Sequence, residues 1–302
     1  MKSTVFKYGL FLFLALCIPC IPSCDTDKND DIKMLNQSSS APLQRLSTNS
    51  TQNFSPNFKL ILNVAYGIDA KNTLDLYIPN KNFSHSKALI YLHGGGWSAG
   101  DKNEFATQAQ VFLDSGIVCA AVNYRYANYK DGIIINDLLF DIENAINFLK
   151  VYGRDIGCSF DTITLMGGSA GGHLALMYSY KYGNIQNAVS LAGPTNLLDP
   201  LLYNESIVDM NALVHNLTGT DLNTEIWANA SPYYNYTNTT TYLYHGKLDD
   251  VVPYSQSVEL FEKIKDLNPK NRLVLYDDSG HLFSTNSYAQ TYDEVIKLIK
   301  SK

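Results

Sequence analysis

The stretch that decides the fold reads Leu165-Met166-Gly167-Gly168-Ser169-Ala170-Gly171-Gly172-His173. A run of β-forming residues, 163–166, leads directly into Gly-x-Ser-x-Gly, and an apolar helical run, 174–180, follows. This order predicts a strand, a sharp turn and a helix, with the serine on the turn. Glycines on both sides tolerate the crowding there, so the serine hydroxyl is expected to stand above the sheet. Ser169 is therefore the candidate nucleophile, although the pattern alone also fits a glycine-rich connection with an incidental serine.

On both sides of this stretch, short apolar runs alternate with helical patterns. Strands are predicted at 88–92, 117–122, 163–166, 188–192, 241–244 and 272–276, after two opening strands at 58–64 and 74–78. The opening pair is expected to form an antiparallel edge. Alternation of this kind is typical of an α/β protein whose mostly parallel sheet carries helices on both faces. The sequence thus predicts an α/β fold with about eight strands.

Length and composition set limits on the class of protein. The chain has 302 residues, of which 45% are hydrophobic, enough for one large core in a single domain at 58–302. The net charge is −6, and no stripe of lysine or arginine is present to neutralise phosphates. This balance argues against a nucleic-acid partner.

The first 24 residues have the pattern of a signal peptide. Lys2 and Lys7 give a positive start, and the apolar run at 9–18 is too short to span a bilayer. Ile21-Pro22-Ser23-Cys24 resembles a bacterial lipobox, which predicts lipidation of Cys24 and a membrane anchor. Ordinary secretion with cleavage near Ser23 is the alternative. The acidic stretch that follows resembles a surface-export signal, so an outer-membrane or cell-surface lipoprotein is expected, or otherwise a periplasmic or secreted protein.

The polar segment 25–57 is predicted to be a flexible tether, since it holds few apolar residues. Beyond the leader only Cys119 and Cys158 remain, and an exported protein permits a disulfide between them without implying one. No spacing of His, Cys and Glu suggests a metal site, and no cofactor is implied.

A second glycine-rich segment, His93-Gly94-Gly95-Gly96-Trp97, directly follows the predicted strand 88–92. Consecutive glycines let backbone N–H groups converge on one point with no side chain in the way. The N–H of Gly94 or Gly95, together with that of Ala170, is the candidate oxyanion hole. His93 is expected to brace the loop, and Trp97 either packs or contacts substrate.

A serine nucleophile needs a base and an acid, each in a loop after a strand. After strand 241–244, two adjacent carboxylates compete, and the Asp-x-x-Val-Pro pattern favours Asp249 over Asp250. Six histidines are present, and only His281 lies downstream of both Ser169 and Asp249. The chain order Ser, Asp, His is the one that α/β-hydrolases use. The predicted triad is therefore Ser169, Asp249 and His281.

The section 194–239 is polar, rich in Asn and Tyr, and weakly periodic. It is predicted to form an excursion over the carboxyl edge of the sheet, where ligands bind in such folds. Its aromatic residues either line a pocket for an aromatic or sugar group or pack the excursion onto the domain: Trp227, Tyr233, Tyr234 and Tyr236.

From about residue 64 onward, the chain resembles the α/β-hydrolase superfamily and its carboxylesterases with a His-Gly-Gly-Gly motif. It looks most like Bacteroidetes-type feruloyl and acetyl esterases, on the motifs Tyr66-Gly67, Leu74-Asp75-Leu76-Tyr77-Ile78-Pro79, His93-Gly94-Gly95-Gly96-Trp97, Gly100-Asp101-Lys102, Asn123-Tyr124-Arg125 and Gly167-Gly168-Ser169-Ala170-Gly171-Gly172-His173. It departs from the related hormone-sensitive-lipase group, which usually has Asp where Gly168 stands.

This resemblance implies a serine carboxylesterase that hydrolyses short acyl or hydroxycinnamoyl esters, either small esters or esterified polysaccharides. Two alternatives stay open. Kynurenine formamidase-like enzymes share the same motifs, so an amide substrate is possible. A non-catalytic surface protein could keep the hydrolase fold for binding alone.

Overall fold

A computed structural model of the protein describes residues 52–54, 58–80 and 87–301. The strands of this part are β1 (Gln52–Phe54), β2 (Phe58–Ala65), β3 (Thr73–Pro79), β4 (Lys87–Leu92), β5 (Val118–Val122), β6 (Thr162–Gly168), β7 (Asn187–Leu191), β8 (Thr240–Gly246) and β9 (Arg272–Tyr276). The α-helices are α1 (Ala109–Asp114), α2 (Ile135–Asp155), α3 (Ala170–Tyr182), α4 (Leu201–Asn204), α5 (Met210–Thr218), α6 (Thr224–Asn229), α7 (Pro232–Asn235), α8 (Ser255–Ile264) and α9 (Thr285–Lys300). Two 3-10 helices lie at Lys102–Phe105 and Tyr129–Asp131.

The strands form one sheet in the order β1-β2-β3-β5-β4-β6-β7-β8-β9. From β5 to β9 across the sheet, all neighbours are parallel, whereas β1, β2, β3 and β5 pair antiparallel in succession. This confirms the predicted mostly parallel sheet with an antiparallel edge.

The described part of the sheet has nine strands because of β1, a three-residue edge strand that pairs with β2. It lies in the segment predicted to be a tether, so the sheet begins at Gln52 and not at residue 58 as predicted. The leader at 1–24, its Cys24 and most of the segment 25–57 lie outside the described residues.

Both faces of the sheet are buried, because side chains alternate along each strand. In β4, Ala88, Ile90 and Leu92 pack into the core beneath α2 and α3. Leu89 and Tyr91 point to the other face, which α1 and α9 cover with Phe112 and Val295 among others. Full burial of each such aliphatic side chain contributes about 1.5–3 kcal/mol. The helices on both faces hold the carboxyl ends of β4, β6, β8 and β9 at one edge.

The excursion at 194–239 is more regular than predicted, since it contains the short helices α4 to α7. Its aromatic residues do not form a pocket. Trp227 is buried and stacks on Tyr203, and Tyr236 packs edge-on against Tyr180 in α3. Tyr233 lies under the ammonium group of Lys263. These rings pack the excursion onto the domain, as one of the two interpretations of the sequence predicts.

Two further observations bear on the sequence analysis. Cys119 and Cys158 are separate buried thiols and form no disulfide. Across the described residues, no helix combines the length and apolarity that crossing a bilayer requires.

Candidate active site

Ser169 stands between the end of β6 and the start of α3, on a strained turn. Its backbone has φ +51° and ψ −121°, a combination that costs a non-glycine residue about 1–3 kcal/mol. The turn is fixed on both sides, because the Ser169 N–H donates to the Leu191 carbonyl and its own carbonyl accepts from the His173 N–H. The side chain therefore points out at the carboxyl edge of the sheet.

The glycine before the turn is required by close packing between β6 and α3. A Cβ at Gly167 would lie 2.3 Å from the carbonyl carbon and oxygen of Gly171. One at Gly171 would lie 2.2 Å from the carbonyl oxygen of Leu92 in β4. A side chain at either position would push the helix away from the sheet and displace Ser169.

His281 follows β9 and contacts Ser169 across the edge of the sheet. Its Nε2 lies 3.0 Å from the Ser169 Oγ, and its Nδ1 lies 2.8 Å from the Oδ2 of Asp249. Because an ionised carboxylate only accepts hydrogen bonds, Nδ1 must carry the proton. The Nε2 lone pair is therefore free to accept the proton of the Ser169 hydroxyl.

Asp249 follows β8 and is fully buried. Its Oδ2 accepts from His281 Nδ1 and from His245 Nε2 at 3.1 Å, and its Oδ1 accepts from the N–H groups of Val251 and Val252 at 2.9 and 2.8 Å. Burial raises the pKa of this carboxyl, but hydrogen bonds from the two imidazoles outweigh burial and hold it well below the usual value. Asp249 is thus an ionised, rigidly held partner for His281.

The adjacent carboxylate has a different environment. Asp250 is exposed, and its carbonyl oxygen accepts a hydrogen bond from the N–H of Ile207 in the excursion. The structure therefore brings Asp249, not Asp250, into contact with His281, as the sequence predicted.

Three backbone amides are candidate oxyanion donors near Ser169: those of Gly94 and Gly95 in the loop after β4, and that of Ala170 at the start of α3. The N–H groups of Gly95 and Ala170 have no acceptor among the described residues. Gly95 has φ +103°, and a Cβ there would lie 2.3 Å from the Ala99 carbonyl oxygen, so glycine is required. The Gly94 N–H instead donates to the Oε2 of Glu104 at 3.3 Å. Two of the three predicted oxyanion donors are therefore free, and the third is engaged.

His93 and Trp97, at the ends of the loop, are both buried. The His93 Nδ1 lies 2.8 Å from the Gly94 carbonyl, and its ring stacks on Tyr124 at 4.3 Å, which fits the predicted bracing role. The Trp97 indole N–H donates to His173 Nδ1 at 3.1 Å. Trp97 packs into the core and is also among the residues that line the cleft.

A cleft of about 560 Å³ opens above Ser169 and His281. Its wall on the α2–α3 side of the sheet is aliphatic and comes largely from the excursion and from the loop after β8: Val208, Met210, Leu213, Val251 and Val252. Its opposite wall is aromatic and polar: Tyr91, Glu104, Gln108, Phe283, Tyr288 and Tyr292. The excursion thus borders the cleft as predicted, but with aliphatic residues and not with its aromatic ones.

Sequence reasoning missed three residues around this site. His245 is the second imidazole on Asp249, and Tyr91 and Glu104 line the cleft. Only His245 carried a signal, since it lies near the end of β8, the strand that precedes Asp249, and four residues before that carboxylate. Among the described residues, no group of three His, Cys, Asp or Glu side chains could hold a metal ion.

The chain is similar to several known proteins. A probable isoprenylcysteine α-carbonyl methylesterase of Arabidopsis thaliana is 26% identical over 248 residues, which cover 72% of this chain and 50% of the relative. A kynurenine formamidase of Salmo salar is 30% identical over 118 residues, covering 39% of this chain and 37% of the relative. The chain spans about half the length, or less, of these curated relatives.

A solved structure shares the fold. It is a truncated carbohydrate esterase from gut microbiota, with a TM-score of 0.67 at 19% identity, covering 80% of this chain and 96% of that chain. The profile of the BD-FAE family matches residues 74–264, which is more than half of the sequence. On this match, and with the sheet and serine turn described above, the chain belongs to the BD-FAE family of the α/β-hydrolase superfamily.

Proposed function

We propose that the protein is a serine carboxylesterase that works through Ser169, His281 and Asp249. The observation that carries this proposal is the continuous contact from Ser169 Oγ to His281 Nε2 and from His281 Nδ1 to Asp249 Oδ2, at 3.0 and 2.8 Å, on the floor of an open cleft. Membership of the family and the methylesterase and esterase names of the relatives support the same activity.

In the first step, His281 Nε2 takes the proton of the Ser169 hydroxyl as its oxygen attacks the ester carbonyl carbon. The imidazolium that forms is stabilised by the ionised Asp249, which also holds the ring in the required tautomer. Because the serine is already within hydrogen-bond distance of Nε2, the proton transfer needs no rearrangement of the site.

The carbonyl oxygen becomes negatively charged in the tetrahedral intermediate. The free N–H groups of Gly95 and Ala170 are the donors that stabilise it, and Ala170 also lies at the N-terminus of α3, where the helix dipole favours negative charge. Loss of one such donor typically costs about 3–4 kcal/mol of transition-state stabilisation.

The intermediate then collapses, and His281 returns the proton to the leaving alcohol. Ser169 is left as an acyl ester. A water molecule, deprotonated by His281, attacks this ester and releases the carboxylic acid, and the proton passes back to Ser169. No step requires a cofactor.

For the substrate, we propose short acyl or hydroxycinnamoyl esters, either small or attached to a polysaccharide. The cleft volume suits a small acyl group with one ring, and the aromatic wall would pack against such a ring. The carbohydrate esterase among the structural neighbours is consistent with a polysaccharide ester. Export and a lipid anchor at Cys24 belong to the same proposal, because they would bring the enzyme to an external polymer.

The test is hydrolysis of p-nitrophenyl acetate by the parent and by Ser169→Ala. We expect turnover by the parent and none above background by the variant. A fluorophosphonate probe should label the parent at Ser169 only. Equal rates in both proteins, or a folded parent without turnover, would refute the mechanism and favour a non-catalytic binding protein.

An amide hydrolase of the arylformamidase type is the second candidate, and the similarity to a kynurenine formamidase favours it. Comparing kcat/KM for an N-formyl arylamine, phenyl acetate and methyl ferulate separates the two. A higher kcat/KM on the formamide would indicate that the preferred substrates are amides and not esters.

A further inference from the structure

Tyr91 is a cleft residue whose hydroxyl has no use in the mechanism above. It lies near the end of β4, on the face covered by α1 and α9, and its ring stacks on Phe105 at 4.7 Å. The hydroxyl has no hydrogen-bond partner among the described residues, and the side chain lines the cleft. The residue is half-buried and lines the cleft, so a bound substrate can supply the missing hydrogen-bond partner.

Gly168 leaves this hydroxyl open to the cleft. A Cβ at Gly168 would meet the Tyr91 hydroxyl oxygen at 3.4 Å, and no other atom within 4 Å. Any larger side chain there would therefore cover Tyr91. Because Gly168 directly precedes Ser169 in the sequence, the Tyr91 hydroxyl is in contact with the residue next to the proposed nucleophile.

Glu104 brings a carboxylate to the wall of the same cleft, beside Gly94. Its Oε2 accepts from the Gly94 N–H at 3.3 Å and its Oε1 from the Asp101 N–H at 3.4 Å. Gly94 in turn lies against the nucleophile, since a Cβ there would be 3.5 Å from the Ser169 Cβ. A carboxylate has about four lone-pair sites, so Glu104 can accept a further hydrogen bond from a ligand.

The two groups have complementary chemistry. Burial, with the charge of Glu104 as the next cause, raises the pKa of Tyr91 far above the assay range, so the phenol is always a donor. Glu104 is an acceptor. An ester carbonyl or an ether can use only the donor, whereas an alcohol hydroxyl can accept from one group and donate to the other.

Since Tyr91 adjoins Gly168 and Glu104 adjoins Gly94, and both glycines adjoin Ser169, a hydroxyl that contacts both groups would be near the scissile ester. The phenol at the far end of a hydroxycinnamoyl group would be too distant. A hydroxyl on the carbon next to the ester-bearing carbon of the alcohol has the required position.

We propose that Tyr91 and Glu104 form a subsite for a free hydroxyl adjacent to the ester, and that the preferred substrates are partially acylated polyols. Sugar units with one acylated and one free neighbouring hydroxyl have this chemistry. The subsite rests on the proposed ester hydrolysis at Ser169, and it names the alcohol side of the substrate.

The test compares two esters with the same number of heavy atoms, 2-hydroxyethyl acetate and propyl acetate. In the parent, kcat/KM for the hydroxy ester should exceed that for propyl acetate about tenfold or more. Tyr91→Phe should lower this ratio about five- to tenfold, because it removes the donor and keeps the ring. Gly168→Ala, which covers the hydroxyl, should lower it in the same direction.

Tyr77→Phe is the matched control. Tyr77 lies on β3, which β5 separates from β4 in the sheet. Its ring also contacts Phe105, at 6.1 Å, and it is not among the residues that line the cleft. Loss of its hydroxyl should leave the ratio at the parent value. Glu104→Gln keeps the size of the side chain and one acceptor oxygen. It should lower the ratio less than the double variant Tyr91→Phe/Glu104→Gln does.

The outcomes separate the subsite from the esterase proposal. A parent that hydrolyses neither ester, nor p-nitrophenyl acetate, contradicts the proposed function and the subsite together. A parent that hydrolyses both esters equally well, or a Tyr91→Phe variant that keeps the parent ratio, overturns the subsite alone. In that case Glu104 only caps the 3-10 helix at Lys102–Phe105, where it forms a capping box with Asp101.

Discussion

Two series of hydrogen bonds, each of the type Asp-His-Ser, meet at the carboxylate of Asp249. On one side of Asp249, His281 connects it to Ser169, and on the other side, His245 connects it to Ser257 with Nδ1 2.7 Å from the Oγ. They differ in exposure: the His281 side chain is 19% exposed, whereas the His245 side chain is 0% exposed and Ser257 is 1% exposed.

The two serines also differ in their surroundings. Ser257 lies within the regular helix α8, beneath the surface, where no substrate can reach it. Ser169 stands on a strained turn in an open cleft with free N–H donors nearby. An Asp-His-Ser series is therefore not sufficient for catalysis. Access of substrate to the serine and free N–H donors beside it distinguish the proposed catalytic series from the buried one.

The largest expected effect tests the two histidines. His281→Gln should lower kcat on p-nitrophenyl acetate about 10⁵- to 10⁶-fold, because it removes the base. His245→Gln should lower kcat only about ten- to hundredfold, since the N–H groups of Val251 and Val252 still hold Asp249. Equal losses of kcat in the two variants would show that His245 is as important for the reaction as His281.

The next effect tests the carboxylate that both series share. Asp249→Asn should lower kcat about 10⁴-fold, because the amide cannot hold His281 in the required tautomer. It should also lower the free energy of unfolding by about 1–3 kcal/mol, since four N–H donors would then face one oxygen and an NH₂ group.

Asp250→Asn is the matched control for this change. Its side chain is exposed, so kcat should stay at the parent value and the stability within about 0.5 kcal/mol. The measurements are initial rates and urea unfolding. If kcat fell as much in Asp250→Asn as in Asp249→Asn, the assignment of Asp249 as the partner of His281 in the reaction would be wrong.

A third histidine, His173, shows what burial does without a carboxylate. Its Nδ1 accepts from Trp97 and its Nε2 contacts the Ala230 carbonyl at 2.8 Å, and burial lowers its pKa to about 4. Since the unfolded pKa is about 6.5, the unfolded state binds the proton first as the pH falls. Stability from this group is complete above pH 6.5 and decreases by roughly 3 kcal/mol as the pH approaches 4.

The check is urea unfolding of the parent and His173→Gln at pH 7.5 and pH 4.5. Other groups also titrate in this range. The two proteins are therefore compared by how much free energy of unfolding each loses between pH 7.5 and pH 4.5. The parent should lose more stability on acidification than the variant. Equal losses would contradict a neutral, buried His173.

The smallest effect concerns the buried serine. Ser257→Ala removes one hydrogen bond to His245 and should lower the free energy of unfolding by about 1 kcal/mol, with a change in kcat of less than about threefold. Ser255→Ala, two residues earlier, is the control because its buried hydroxyl has no partner in the described part of the chain. Its removal should be neutral or slightly stabilising. A kcat loss near that of Ser169→Ala would make Ser257 part of the chemistry.

Much of the fold and of the candidate site could be predicted because their signals are local. The residues of β9 match the predicted strand 272–276, and Ser169, Asp249 and His281 each follow a strand whose apolar run is legible in the sequence. Parallel strands align their carboxyl ends, so residues that follow them must meet. The edge strand β1 was missed because three residues in a polar segment carry no periodicity.

The lining of the cleft could not be predicted in the same way. Whether Trp227 packs inward or faces a ligand depends on how the excursion lies on α3, and nothing in its own spacing specifies that. The aliphatic residues that do line the cleft, such as Met210 and Leu213, have the same helical pattern as core residues.

The serine turn, the glycine loop and the chain order of Ser169, Asp249 and His281 could be read from the amino-acid sequence, because each depends on a few consecutive residues or on their order. Three contacts became evident only in the folded protein: His245 shares Asp249 with His281, Glu104 accepts from Gly94, and Gly168 leaves the Tyr91 hydroxyl open to the cleft. These contacts depend on how loops, strands and helices pack, even where the residues are only four apart, as His245 and Asp249 are, and short spacings do not encode that packing.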